Sequence, residues 1–245
     1  AKEKGNFELM QNLYRKVSRS LFFLGAVLAG FIIPWSKEII QLVFGSSYMG
    51  GSSIFVLMLI YAAFRSLAQV NLSMLLATSK TKTHLVFGCV LMGVSIPCSY
   101  FVLASEDTYI PGLGLGSLGL AMKMVLFAVI HVNSISWWIY RDHGWKFDWI
   151  YQVVALGGAI SCGWLSFELV EVLNNVISIN LFLKGILALF LYCGFVGMLT
   201  WRMPWVAGVS RQEIKNFFYD WNFLRVIDYF IRFFVNFLPP ANLAH

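Results

Sequence analysis

The sequence predicts an all-α integral membrane protein: one lobe of six membrane-spanning helices, followed by an amphipathic helix at the membrane surface. Three observations carry this. Hydrophobic residues make up 59% of the 245 residues and charged residues 12%, against about 25% charged in a typical soluble domain. Mean hydropathy is +0.72. Apolar runs with at most one Lys or Arg recur along the chain, each long enough to approach the roughly 20 residues that cross a bilayer. Backbone groups in lipid must bond within their own segment, so each run reads as a helix.

The spans are expected at Val17–Trp35, Ser53–Ala77, Leu85–Ala104, Leu118–Tyr140, Trp149–Phe167 and Leu181–Trp201. They would form a transmembrane lobe over residues 1–205, with a cytoplasmic tail over 206–245. Charges in the connections test the count. Lys2, Lys4, Arg15, Lys16 and Arg19 precede the first span, and Lys80 and Lys82 follow the second. Arg141 and Lys146 follow the fourth, against Asp142 and Asp148, and Arg202, Arg211 and Lys215 follow the sixth. The intervening connections have cancelling charge (Lys37, Glu38) or none positive (Glu106, Asp107). Cations thus favour every second connection, and the positive-inside rule puts both termini in the cytoplasm. Trp137, Trp138, Trp145, Trp149, Trp201 and Trp205 sit at those same ends, as an interfacial belt requires. A net charge of +6 spread over span ends excludes a nucleic-acid patch.

The tail from Gln212 to Phe237 repeats Phe217, Phe218, Trp221, Leu224, Ile227, Phe230, Ile231 and Phe234 at helical spacing, with Arg225, Asp228 and Arg232 opposite. It reads as an amphipathic surface helix that anchors the chain or docks a partner, ended by Pro239–Pro240. Pro97 is expected to kink the third span. Cys89, Cys98, Cys162 and Cys193 lie in apolar runs without metal spacing and read as free thiols.

Arg65 stands in the middle of the second span. A charge there costs at least ~2.5 kcal/mol, so it must face a wet cavity, a partner or an anion. Tyr61, Arg65, Gln69 and Ser73 recur every fourth residue and are expected on one polar face. In the fourth span Lys123, His131 and Ser134 fall near one face, with Phe127 between them. Lys123 is either a cavity cation or one that snorkels to the outer surface. His131 is a proton-coupling site or a packed, hydrogen-bonded residue. No Asp or Glu lies deep in a span, and Glu168 is expected at the interface. The two cations therefore need a carboxylate from elsewhere or an anionic ligand. Phosphate fits, because Arg grips it with bidentate, charge-assisted bonds.

Gly114, Gly116 and Gly119 match GxGxxG but follow a membrane helix, with no acidic residue about twenty positions on, so dinucleotide binding is rejected. Small residues there favour close helix packing. Asn71-Leu72-Ser73 fits the glycosylation pattern but lies inside a span. There is no nucleophile–base pair, phosphate loop or metal box, so no enzyme, cofactor or metal is expected.

Four segments resemble the polysaccharide-exporter (Wzx-like) branch of the multidrug/oligosaccharidyl-lipid/polysaccharide (MOP) flippase superfamily. They are Ala1-Lys2-Glu3-Lys4-Gly5-Asn6, Phe44-Gly45-Ser46-Ser47-Tyr48, Leu76-Ala77-Thr78-Ser79-Lys80-Thr81-Lys82, and the run from Pro111 to Ala121. The resemblance covers roughly residues 1–140. It implies a MATE-like lobe, the C-terminal half of a two-lobed protein. Its partners would be an N-terminal lobe or a second copy, membrane lipids and polysaccharide assembly proteins. The cargo it implies is a lipid-linked oligosaccharide of the undecaprenyl-pyrophosphate type, moved across the inner (cytoplasmic) membrane by alternating access. Cavity cations would then contact the phosphate, a role open to Arg65 and Lys123. Tyr61, Gln69, Ser73 and His131 are the further candidate substrate-binding residues. Three readings compete: a cation-coupled drug exporter of the same fold, a membrane scaffold that transports nothing, and a polymerase or ligase of lipid-linked glycans, which the short connections disfavour.

Overall fold

The computed structural model describes the backbone of residues 2–105, 107, 109–145, 147–176 and 180–220. All regular structure among them is helical: α1 (Lys2–Ile32), α2 (Ser36–Phe44), α3 (Ser52–Ala77), α4 (Thr81–Leu103), α5 (Gly116–Asp142), α6 (Ile150–Val176), α7 (Leu181–Arg202) and α8 (Arg211–Asp220). Five helices are long and apolar enough to cross a membrane, and α1 with α2 makes a sixth candidate if that bent pair is counted as one span. The chain is a multi-pass membrane protein by length and composition of its helices.

The first span differs from the expectation. The charged opening segment is helical from Lys2, built of good helix formers such as Lys, Glu, Leu, Met and Gln. The expected run to Trp35 breaks at Ile32, because Pro34 donates no amide and disfavours helical geometry at Ile33. The chain then turns by 73° into α2. The fifth span is also longer than expected: α6 runs to Val176, and Glu171 near its end pairs with Lys184 of α7 at 3.0 Å. Pro97 lies inside α4, which remains one helix over 23 residues.

Side-chain pairs give the directions. Tyr14 meets Asn71, and Phe22 meets Phe64, so α1 and α3 are antiparallel. Asn71 meets Ser136, and Lys80 meets Asp142 at 3.6 Å, so α3 and α5 are parallel. Ser95 meets Lys123, and His84 meets His131, so α4 opposes α5. Phe22 meets Tyr151 and Trp35 meets Phe167, so α6 runs with α1. Successive spans thus alternate in direction. In space the order is α4, α5, α3, α1, α6, α7, with α1 between α3 and α6.

The seam between α1 and α6 is made of small residues. A Cβ on Gly30 would come within 2.6 Å of the Ala159 carbonyl, and a Cβ on Gly163 would strike the Gly30 carbonyl. That carbonyl lost its normal helical donor to Pro34. Ala26, Ala29, Ala155 and Ala159 are buried alongside. In lipid, helices gain stability by such close backbone approach.

Arg19 of α1 pairs with Asp148, donates to the Trp205 carbonyl at 3.2 Å and lies over the Tyr151 and Trp205 rings. Lys80 and Arg141 lie over the Trp138 and Trp137 rings at the same end of the bundle. The cations and tryptophans of the alternate connections therefore share one end.

Residues Ala1–Gly208 make one compact unit and Val209–His245 a second. In the second, α8 opens with a capping box: Glu213 accepts from the Ser210 amide at 2.8 Å, and the Glu213 amide donates to Ser210 Oγ at 3.2 Å. The amphipathic segment expected over 212–237 lies outside the described residues from Trp221 onward.

Candidate functional site

A cleft of about 460 Å³ opens between α3, α4 and α5. Helix α5 forms its floor, since both α3 and α4 pack on α5 more closely than on each other. Tyr61 and Arg65 line it from α3, Ser95 from α4, and Lys123, Phe127 and His131 from α5. Four of the six expected residues, Tyr61, Arg65, Lys123 and His131, thus face one space, from two helices. No carboxylate lines it.

The two cations are not equivalent. Lys123 Nζ donates to Ser95 Oγ at 2.5 Å and Ser99 Oγ at 2.6 Å, and lies 5.2 Å from the Phe127 ring centre. The Ser99 hydroxyl in turn donates to the Ser95 carbonyl at 2.8 Å. The ammonium is therefore tethered to α4. Arg65 sits midway along α3, is solvent-accessible in the cleft, and has no hydrogen bond or ion pair with a described residue. Its five guanidinium donors remain available to a ligand.

Gln69 and Ser73 do not line the cleft. Both are exposed, and the Ser73 hydroxyl turns back to the Gln69 carbonyl at 2.9 Å. The reason is angular. A repeat of four drifts about 40° per step around a helix of 3.6 residues per turn. Three steps carry Ser73 about 120° away from Tyr61. Ser134 likewise faces a different space, a larger cavity of about 960 Å³ on the α6 side of α5. That cavity is mostly aromatic and aliphatic, and is crossed by a reciprocal amide pair: Asn133 Nδ2 donates to Gln152 Oε1 at 3.2 Å, and Gln152 Nε2 to Asn133 Oδ1 at 3.1 Å.

Further polar residues surround these four. Ser95 and Ser99 flank Pro97 at a spacing of four, a signal for one polar face. His84 fell outside the expected third span, yet α4 starts at Thr81 and brings it against His131, with ring centres 6.3 Å apart. Asn71 is fully buried. It accepts from Tyr14 at 2.6 Å and donates to the Val132 carbonyl and Ser136 Oγ, each at 3.0 Å. One amide therefore ties α1, α3 and α5 together behind the cleft.

The glycine motif has a structural use. The loop before α5 folds back on the end of α4. The amides of Leu113, Gly114 and Leu115 reach the carbonyls of Phe101, Ala104 and Val102 at 2.8, 2.8 and 3.1 Å. These are the carbonyls that a helix end leaves unsatisfied. Gly114 takes φ 58° to make the turn, and a Cβ on Gly112 would come within 2.7 Å of the Phe101 carbonyl. Gly119 is the close-packing glycine: its Cβ would meet Val102 at 2.6 Å.

The chain matches no family model, no curated protein and no solved structure.

Proposed function

We propose that the protein translocates an anionic lipid-linked oligosaccharide across the inner membrane, with its phosphate or pyrophosphate held at Arg65. One observation carries this reading: Arg65 lies midway along a membrane helix, open to a cleft that holds a second cation and no carboxylate. A charge so placed is costly in lipid, and a dianion in the cleft would offset that cost. A bidentate Arg–phosphate contact supplies both charge neutralisation and orientation. Lys123, tethered to Ser95 and Ser99, adds fixed positive potential, and Tyr61 adds a hydroxyl for sugar or phosphate oxygens. Gln69 and Ser73 have no part in this contact.

On this reading the six spans are a MATE-like lobe of MOP type, working with a second lobe or a second copy. Access to the cleft alternates as the two bodies rock. Both termini face the cytoplasm, where the cationic connections meet anionic lipid.

The test is export of surface polysaccharide in cells that depend on this protein, scored with variants matched for membrane abundance. Arg65→Ala should reduce export at least about tenfold, and Arg65→Lys should restore part of it, since Lys keeps the charge and loses the fork. Full export in Arg65→Ala would rule out the phosphate clamp.

A further inference from the structure

We propose that the His84–His131 pair is a proton-binding site whose occupancy is linked to anion binding beside Arg65. The inference rests on the reading of the cleft as an anion site and adds a second, chemically distinct ligand to it.

The geometry is specific. His131 lines the cleft from α5, and His84 of α4 lies beside it with the rings 6.3 Å apart and tilted by 35°. His84 Nδ1 and His131 Nε2 are both buried and both lack a hydrogen-bond partner. Buried polar atoms are normally satisfied, so an unpaired nitrogen on each of two facing rings is unusual. The chain also contains the ordinary alternative. His143 places Nδ1 2.9 Å from the Ile139 carbonyl and lies 4.8 Å from the Trp145 ring, as a structural imidazole does.

The surroundings fix the sign of the linkage. In the cleft His131 is joined by Tyr61 and Arg65 of α3 and by Lys123 of α5. On α4 itself, Cys89 is exposed. Lys82 also lies on α4, two residues before His84, and Lys80, just before α4, is paired with Asp142 at 3.6 Å. The charges within the cleft are therefore all positive. A dianion at Arg65 reverses that local potential and favours binding of a proton beside it. Imidazole is the side chain whose ordinary pKa, about 6.5, makes both states accessible near neutral pH. By linkage, whatever factor the anion adds to proton affinity, protons add to anion affinity. Protons come from solvent and return to it on release.

The experiment uses the full chain in lipid nanodiscs and the symmetric dimethyl ester of pyrophosphate, one methyl on each phosphorus; both remaining hydroxyls are strongly acidic, so it stays dianionic over about pH 5.5 to pH 8, where imidazole changes charge. Calorimetry in two buffers of different ionisation enthalpy reads protons taken up per anion bound. The wild-type protein should bind roughly tenfold more tightly at the acidic end, the effect of a shift of about one pKa unit, with net proton uptake. In His84→Gln/His131→Gln both the pH ratio and the uptake should vanish. A double variant that keeps the wild-type ratio overturns the proposal. Should that variant fail to fold, histidine NMR titration of the wild-type chain decides: the ligand should move two imidazole midpoints upward, and unmoved midpoints overturn the site. Arg65-dependent binding with no pH ratio removes the proton site and leaves the anion cleft standing. Absence of binding at every pH, with Arg65→Ala no different from wild type, removes both.

Discussion

Gly163→Leu is expected to abolish the folded bundle. The Cβ of any residue at this position strikes the Gly30 carbonyl, and Pro34 Cγ lies 3.4 Å away. Neither obstacle can step aside: one is helix backbone, the other a proline ring. Overpacking a flexible core costs about 1–3 kcal/mol. Against two backbones the helices must separate, and the close packing of Ala26, Ala29, Ala155 and Ala159 is lost with them, so about 3 kcal/mol or more is expected. Fluorescence-detected size-exclusion chromatography in mild detergent should show loss of the monodisperse peak. Gly157→Leu is the matched control on the same helix, since nothing lies within 4 Å of a Cβ there. If Gly163→Leu elutes and melts like Gly157→Leu, the tight seam is wrong.

Asn71→Leu should produce the second-largest loss. The amide is fully buried and serves helices α1, α3 and α5 at once. Single interhelical hydrogen bonds in membrane proteins average only about 0.6 kcal/mol. Here three are lost together, and the Tyr14 hydroxyl is left buried without its acceptor, a penalty of about 1–3 kcal/mol. Unfolding in a denaturing detergent series should show a loss of about 3 kcal/mol. Tyr14→Phe made on the Asn71→Leu background should cost little more, because its partner is already gone. The resulting coupling energy should exceed about 0.5 kcal/mol. Additive losses would mean that the Tyr14–Asn71 bond contributes nothing.

Much of the bundle is legible in the sequence because lipid imposes one rule on every span. Helices α3, α5 and α7 fall within two residues of the apolar runs that predict them, and α4 starts four residues early. The first span ends short of its apolar run because hydropathy ignores backbone chemistry: Ile33, Pro34 and Trp35 are apolar enough to extend the run, yet Pro34 ends the helix. Arg65 and Lys123 stand out for the same energetic reason that makes them informative, a charge inside an apolar segment. Their surroundings were harder to see. Whether His84 meets His131, or Ser95 meets Lys123, depends on the axial register of α4 against α5, which no pattern within a single helix encodes. Gln69 and Ser73 show the converse error. A four-residue repeat looks like a face over one step and becomes a spiral over three. Asn71 matches a surface sequon, and only the packing of three helices reveals it as a tie.

Gly30 and Gly163 lie about 130 residues apart in the chain. At a synthesis rate of roughly 5–20 residues per second, the glycine–alanine stripe on α1 waits on the order of ten seconds for its counterpart on α6. Over that interval α3, α4 and α5 emerge, and α3 can already dock on the other side of α1. The nascent bundle therefore has an open seam along α1 until α6 is inserted. A chain interrupted between α5 and α6 would keep that stripe facing lipid, which makes this stage of biosynthesis the one most exposed to quality control.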